Sequence, residues 1–256
     1  MPLQTKAILV DGQSGTPTEQ LIIADNASFI NDTKTGGRTI AFWLKINTFD
    51  TAQIQNLIQA RRLDYNNAGV FSGGIFYKHP TETSNEQRIG IYFRSGGVNR
   101  VCFGSTTLSA ESTYLFTIST TGSAYRLGVN AVQDTINLST AYPGLNNGNW
   151  FGDTGQTMAR CTIGSNTPAT GGTTDCNHIW IAYWDKNLSD DEVTELYNSG
   201  NVKDPRHLYT ALGQLQCYYE MGEREDRVGS IATIYDSIIP ANLSSLNMTM
   251  SNIIDL

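Results

Sequence analysis

Few residues of this chain are suited to chemistry, and most of them lie in loops. Asp64-Tyr65-Asn66-Asn67 places one carboxylate and two side-chain amides within four positions. Oxygen donors at that density suit a hard cation such as Ca2+, which gathers roughly six to eight of them. The same residues also make an ordinary turn, because Asn and Asp side chains hydrogen-bond their own backbone. A second group is aromatic: Trp150 and Phe151 follow a Gly/Asn-rich stretch that also holds Tyr142, while Tyr65 and Tyr77 flank the acidic loop. Such a ring can serve as a platform for a sugar face, or it can anchor a core or an interface. Loops on a rigid scaffold are where binding residues gather. A third pair, Glu223 and Glu225, has the period-two spacing that would project two carboxylates from one strand face. Arginines alternate with them, and Gly222 and Gly229 bracket them, so a solvated turn with local ion pairs fits that stretch better.

Other chemistries find no support. There is no Gly-rich phosphate loop, nucleophile elbow or His-based dyad, and the chain reads as a non-enzyme. The 256 residues carry 17 Lys and Arg against 24 Asp and Glu, a net charge of −7, and Arg61-Arg62 is the only adjacent basic pair. Nucleic acid is therefore not an expected partner. No apolar run approaches the roughly 20 residues of a membrane span, and Met1-Pro-Leu-Gln-Thr-Lys lacks a signal-peptide core. The expectation is a chain that folds in a cytosol or leaves without a cleaved signal. Cys102, Cys161, Cys176 and Cys217 are scattered singly and only three His occur, which argues against zinc. Cys161 and Cys176 bracket one loop and could pair, but free thiols are favoured in such a compartment.

The elements that must position these residues are strands. Hydrophobic residues make up 39% and charged residues only 16%, with 24 glycines, which fits a β-rich, turn-rich globule. Strand candidates recur about every ten residues, the rhythm of a sandwich. Thr39–Ile46 alternates strongly, and Thr113–Thr120 with Ala124–Val129 form a hairpin across Thr121-Gly-Ser123. The stretch 56–61 is ambiguous, because Ile54, Leu57 and Ile58 also suit a helix face. Residues 137–156 read as a long loop that exposes Trp150 and Phe151. One helix is expected at Asp190–Ser199: Ser189 and Glu192 form a capping box, Leu188 and Val193 a hydrophobic staple, and Gly200 supplies a left-handed stop.

Several segments taken together resemble the concanavalin A-like, laminin G/pentraxin-like jelly rolls across nearly the whole chain. They are Ala24-Asp-Asn-Ala-Ser-Phe29, Thr39-Ile-Ala-Phe-Trp-Leu-Lys45, Tyr114-Leu-Phe-Thr-Ile118, Thr162-Ile-Gly-Ser-Asn166 and the strand–helix unit Ile179–Gly200. The resemblance implies an all-β sandwich of two antiparallel sheets with one short helix at 190–199. It would occupy residues 1–240, followed by a closing strand or docking arm at 241–256. It also implies a calcium site of two loops, whose second half would fall at Ser165-Asn166, so that Asp64, Asn66 and Asn166 are the metal candidates. That second loop lacks the carboxylates usual in the family. Tyr65, Trp150 and Phe151 are the sugar-binding candidates. The fold also hosts glycoside hydrolases, but their Glu-x-Asp-x-x-Glu pattern is missing.

The run Tyr218-Tyr-Glu-Met-Gly-Glu223 followed by Thr233-Ile-Tyr-Asp236 resembles a tail found after this jelly roll in structural proteins of tailed bacteriophages, with tyrosine where tryptophan is usual. The leading expectation is therefore a non-enzymatic virion structural protein, made in the host cytoplasm, that decorates a capsid or forms part of a fibre. Its partners would be other virion proteins and copies of itself. The alternative is a carbohydrate-binding lectin, with or without calcium, that attaches to cell-surface glycans.

Overall fold

A computed structural model describes residues 6–10, 20–23, 31–49, 54–61, 69–76, 87–139, 146–158, 160–164, 175–221, 233–234, 243–246 and 253–255. The described strands form two antiparallel sheets packed face to face, the expected jelly-roll sandwich. Sheet one runs Val132–Gln133 (β10), Tyr125–Val129 (β9), Ser112–Thr120 (β8), Arg38–Thr48 (β3), Asp175–Trp184 (β13), Lys6–Val10 (β1) and Ile253–Asp255 (β17). Leu215–Glu220 (β14) shares one side of β13 with β1: β1 takes Cys176–His178 and β14 takes Trp180–Trp184. Sheet two runs Asn137–Leu138 (β11), Val98–Phe103 (β7), Arg88–Ser95 (β6), Gly69–Phe76 (β5), Ile54–Arg61 (β4), Arg160–Ile163 (β12), Gln20–Ile23 (β2), Leu243–Leu246 (β16) and Thr233–Ile234 (β15). The C-terminal segment thus places one strand in each sheet, β17 against β1 and β16 against β2.

Side-chain alternation builds the core between the sheets. Ile40, Phe42, Leu44, Phe116 and Ile118 point inward from sheet one, and Ala60, Phe71, Ile91 and Phe93 meet them from sheet two. The sheets approach closely at Gly73, where an added Cβ would come within 2.5 Å of Ile118 Cδ1. The segment that suits either a helix or a strand is β4, and its ambiguity has a physical origin. A bulge between Asn56 and Ile58 turns both Leu57 and Ile58 into the core, giving two successive apolar residues as a helix face would. All four cysteines are free and buried.

The helix (α1) spans Asp190–Tyr197 and starts as expected. Ser189 Oγ accepts from the Glu192 backbone N–H at 3.3 Å, and the Ser189 N–H donates to Glu192 Oε2 at 2.9 Å. Its end is earlier than the sequence indicates. Asn198 takes the left-handed conformation (φ 48°) and its N–H returns to the Thr194 carbonyl, so Asn198, not Gly200, closes the helix. A 3₁₀ turn at Asn198–Gly200 follows.

Candidate functional site

The two sheets differ on their outer faces. On sheet one, Ala41, Trp43, Leu115, Trp180, Ala182, Trp184 and Tyr218 form a second apolar cluster, sealed by Leu188 and Leu196 of the helical unit and by Leu208 and Ala211 downstream. Trp43 stacks on Tyr197 at 5.9 Å, and Trp180 meets Tyr218 edge-on at 6.3 Å. That face is consumed by packing.

The outer face of sheet two is polar. Register sets its side chains in rows that cross the strands. One row reads Thr162, Gln59, Ser72, Tyr92, Val101. The next reads Arg61, Val70, Arg94, Asn99, and a third reads Asn56, Gly74, Gly90, Phe103. Thr162, Ser72, Asn56, Gln59 and Arg61 are buried at the centre, while Arg88, Tyr92, Arg94 and Asn99 are half-buried along β6 and β7. Tyr92 donates its hydroxyl to Asn99 Oδ1 at 2.9 Å, and Ser72 donates to Asn56 Oδ1. Arg88 lies over the Phe103 ring at 5.7 Å.

Among the described positions of this face the charged side chains are of one sign. None of its described positions is Asp or Glu, although the chain as a whole carries a charge of −7. The described ion pairs lie elsewhere, among them Arg38 with Asp185 at 2.5 Å and Lys186 with Glu192 at 2.5 Å. Arg94 Nε is shielded from solvent and has no hydrogen-bond partner. The positions of this face that reach solvent, Arg88, Tyr92, Arg94 and Asn99, carry guanidinium, hydroxyl and amide groups, which hydrogen-bond a polyhydroxylated or anionic ligand.

A second depression, roughly 300 Å³ including open solvent, lies on the other side of the molecule between β8, β9 and the start of α1. Its one cation, Arg126, is already engaged by Asp190, by Gln133 at 2.9 Å and by the Leu188 carbonyl at 3.3 Å. It is a seam between helix and sheet.

Of the residues singled out by sequence, Asp64, Asn66, Asn166 and Tyr65 lie outside the described residues, as do Tyr77, Tyr142, Glu223 and Glu225. Among the described residues no cluster of three or more His, Cys, Asp or Glu exists. Trp150 and Phe151 are a correction. Both are fully buried in the central core, packed on Phe71 at 5.0 and 4.4 Å, and cannot stack on a ligand. A 3₁₀ turn at Phe151–Thr154 folds them inward, held by Asp153, which accepts from the Trp150 N–H at 2.7 Å and the Lys34 N–H at 2.9 Å. The expected long loop therefore contains β11 and this turn. Arg61 was visible in sequence only as half of a basic pair, and Arg88, Tyr92 and Arg94 gave no signal. Their i, i+4, i+6 spacing places them on one strand face, but it becomes a site only through pairing with β5 and β7.

No family model and no curated protein sequence matches the chain. Solved structures do share its fold. A putative carbohydrate-binding protein from Bacteroides ovatus superposes with a TM-score of 0.59 at 13% identity, covering 94% of this chain and 61% of that one. The CBM40 module of a Ruminococcus gnavus IT-sialidase, bound to α2,3-sialyllactose, gives 0.52 at 11% identity over 77% of this chain and 100% of the module. Tailspike protein 2 of an Escherichia coli O157:H7 bacteriophage gives 0.52 at 14% identity over 86% of this chain but 30% of the tailspike. The chain thus spans about six-tenths of the Bacteroides protein's length. At these identities the likeness establishes the fold alone, a jelly-roll sandwich.

Proposed function

We propose that this protein binds carbohydrate, and that it does so on the outer face of sheet two. The observation that carries the reading is the contrast between outer faces: one is sealed with apolar side chains, while the other is polar and brings Tyr92, Arg94 and Asn99 of β6 and β7 to solvent. Hydroxyl-rich ligands are held by such planar amides and guanidinium forks beside an aromatic ring. Two structures of like fold support it, since one is a putative carbohydrate-binding protein and the other holds sialyllactose. The reading needs no catalysis. Calcium belongs to it only if the Asp64–Asn67 loop and Asn166 supply oxygens. The test is a glycan array in millimolar calcium and again in chelator, beside a Tyr92→Ala/Asn99→Ala variant. Binding by the parent and loss in the folded variant is the expected result. A silent array, or binding indifferent to both substitutions, overturns it. Signal lost in chelator assigns the metal its role.

The tailspike likeness favours a second reading, in which the module belongs to a phage particle as a decoration or fibre component and contacts virion proteins or copies of itself. Sedimentation showing a stable symmetric oligomer, or binding to bare capsids, would support that reading. The two readings are compatible, because a virion module can attach to glycans.

A further inference from the structure

We propose that Asn147 is a site of self-modification: the backbone nitrogen of Gly148 attacks its side-chain amide, expels ammonia and leaves a new carboxylate, and Lys34 accelerates the step. Asn-Gly occurs once in the 256 residues, at Asn147-Gly148. Glycine at the second position removes the Cβ that would hinder approach to the amide carbon. The fold also requires it. Gly148 lies at φ +69°, and an added Cβ would collide with Thr120 Oγ1 and come within 2.9 Å of the Ala124 nitrogen.

Three contacts prepare the step. The Asn149 N–H donates to Asn147 Oδ1 at 3.2 Å, closing one small ring that contains both reacting atoms, Asn147 Cγ and the Gly148 nitrogen. That donor also faces the oxygen on which charge develops when the nitrogen adds to Cγ. Lys34 Nζ donates to the Asn147 carbonyl at 3.2 Å and to Asn149 Oδ1 at 2.9 Å. The carbonyl belongs to the same peptide as the Gly148 N–H, so the ammonium stabilises the negative charge that this peptide takes on when it loses its proton. Among the described residues nothing accepts from the Gly148 N–H, which leaves it free to react.

The chemistry balances with water alone. A solvent base takes the Gly148 proton and the N–Cγ bond forms. The Cγ–Nδ2 bond then breaks as Nδ2 takes up a proton and leaves as ammonia. Water opens either carbonyl of the resulting succinimide, and Asn147 is half-buried, so water reaches it. One opening gives aspartate and leaves the main chain unchanged. The other gives isoaspartate, in which the main chain runs through the side chain and gains a carbon. The loop has little slack for that carbon. Tyr125 holds it on both sides of the site, through its N–H on Asn146 Oδ1 at 2.5 Å and its hydroxyl on the Asn149 carbonyl, and the next residue, Trp150, is fully buried.

The experiment incubates the full folded chain at mildly alkaline pH and follows each asparagine by peptide mass mapping, beside Lys34→Met, Lys34→Arg and Asn147→Asp. Asn147 should gain the mass of an amide becoming an acid ahead of every other asparagine, including Asn198, which precedes Ser199. Lys34→Met, with an unchanged melting temperature, should slow the conversion by about tenfold, the size of one lost charge-assisted hydrogen bond. Lys34→Arg should keep most of the rate. The isoaspartyl fraction should melt below both fresh protein and Asn147→Asp. An Asn147 amide that persists while other asparagines convert, or that is lost only once the chain is denatured, overturns the site. Equal rates in Lys34→Met and the parent overturn the role of Lys34. Isoaspartyl protein that melts with the parent overturns the strain on the loop.

Discussion

The two outer faces of this sandwich begin from the same strand chemistry and end in opposite roles. On β13 and β3 the outward positions are Trp180, Ala182, Trp184, Ala41 and Trp43, and a helix with its following turns is laid over them. On β4, β5 and β6 the outward positions are Gln59, Arg61, Ser72, Tyr92 and Arg94. An antiparallel sheet buries one face against its partner and leaves the other to be assigned. Here one assignment stabilises the fold, and the other is the face proposed to bind carbohydrate. Substitutions on the first should act on stability, and those on the second on binding.

The largest expected effect comes from the sealed face. Trp180→Ala removes a fully buried ring that packs on Trp43 and Tyr218, at a cost of about 3–5 kcal/mol. Chemical denaturation should show most of the chain's stability lost. If the variant is as stable as the parent, the outer cluster is not a core and the contrast between faces fails.

Acid should act next, from between the faces. His178 points into the shared core, with neither ring nitrogen hydrogen-bonded, and burial pushes its pKa down to about 4 from 6.5. The unfolded chain therefore takes up this proton from about pH 6.5 downward, while the folded one resists it until about pH 4. Within that window the unfolded state holds more protons, so stability falls as pH falls, by a total of order 3 kcal/mol. His178→Leu should flatten the stability profile between pH 6.5 and 4. A slope that persists in the variant would assign the acid response to other groups.

A smaller effect tests the lid of the sealed face. Ser189→Ala removes the acceptor for the Glu192 N–H and should cost about 1 kcal/mol, a melting shift of about 2–4 °C. Glu192 adds to this end. Burial raises its carboxyl pKa, but hydrogen bonds from Lys186 and from the Ser189 backbone outweigh that and hold it below the usual range. A loss well beyond that size would mean that the lid and Trp184 beneath it unfold together.

The sealed face was also the legible one. Its devices are local: Ser189 and Glu192 stand three residues apart, Leu188 and Val193 flank them, and the alternation of Ile179–Trp184 is continuous. The polar face is assembled from strands far apart in sequence. Gln59 meets Ser72, Ser72 meets Tyr92 and Arg61 lines up with Arg94 only after register is set, and the β4 bulge shifts the alternation within one of those strands. A scan for basic runs sees Arg61-Arg62 and passes over Arg88 and Arg94. Trp150 and Phe151 misled for the converse reason. Glycine and asparagine upstream suggest an exposed loop, while the turn that buries both rings depends on Asp153 reaching back to the Lys34 backbone, 119 residues away.

The smallest expected change in stability sharpens the contrast most. Tyr92→Phe deletes one hydroxyl, which donates to Asn99 Oδ1 at 2.9 Å on a half-buried strand. A net hydrogen bond of this kind is worth about 0.5–1.5 kcal/mol, and Asn99, itself half-buried, can turn to water when the partner is lost, so the folded state should lose about 1 kcal/mol or less. In the glycan complex the same hydroxyl would sit beside the ligand with less water to replace it, and its loss should weaken binding by several-fold. Melting and glycan titration of the one variant then separate the roles. A binding loss at near-constant stability marks the face as a recognition surface. A stability loss with binding intact would mean that sheet two, like sheet one, spends its outer face on holding the fold.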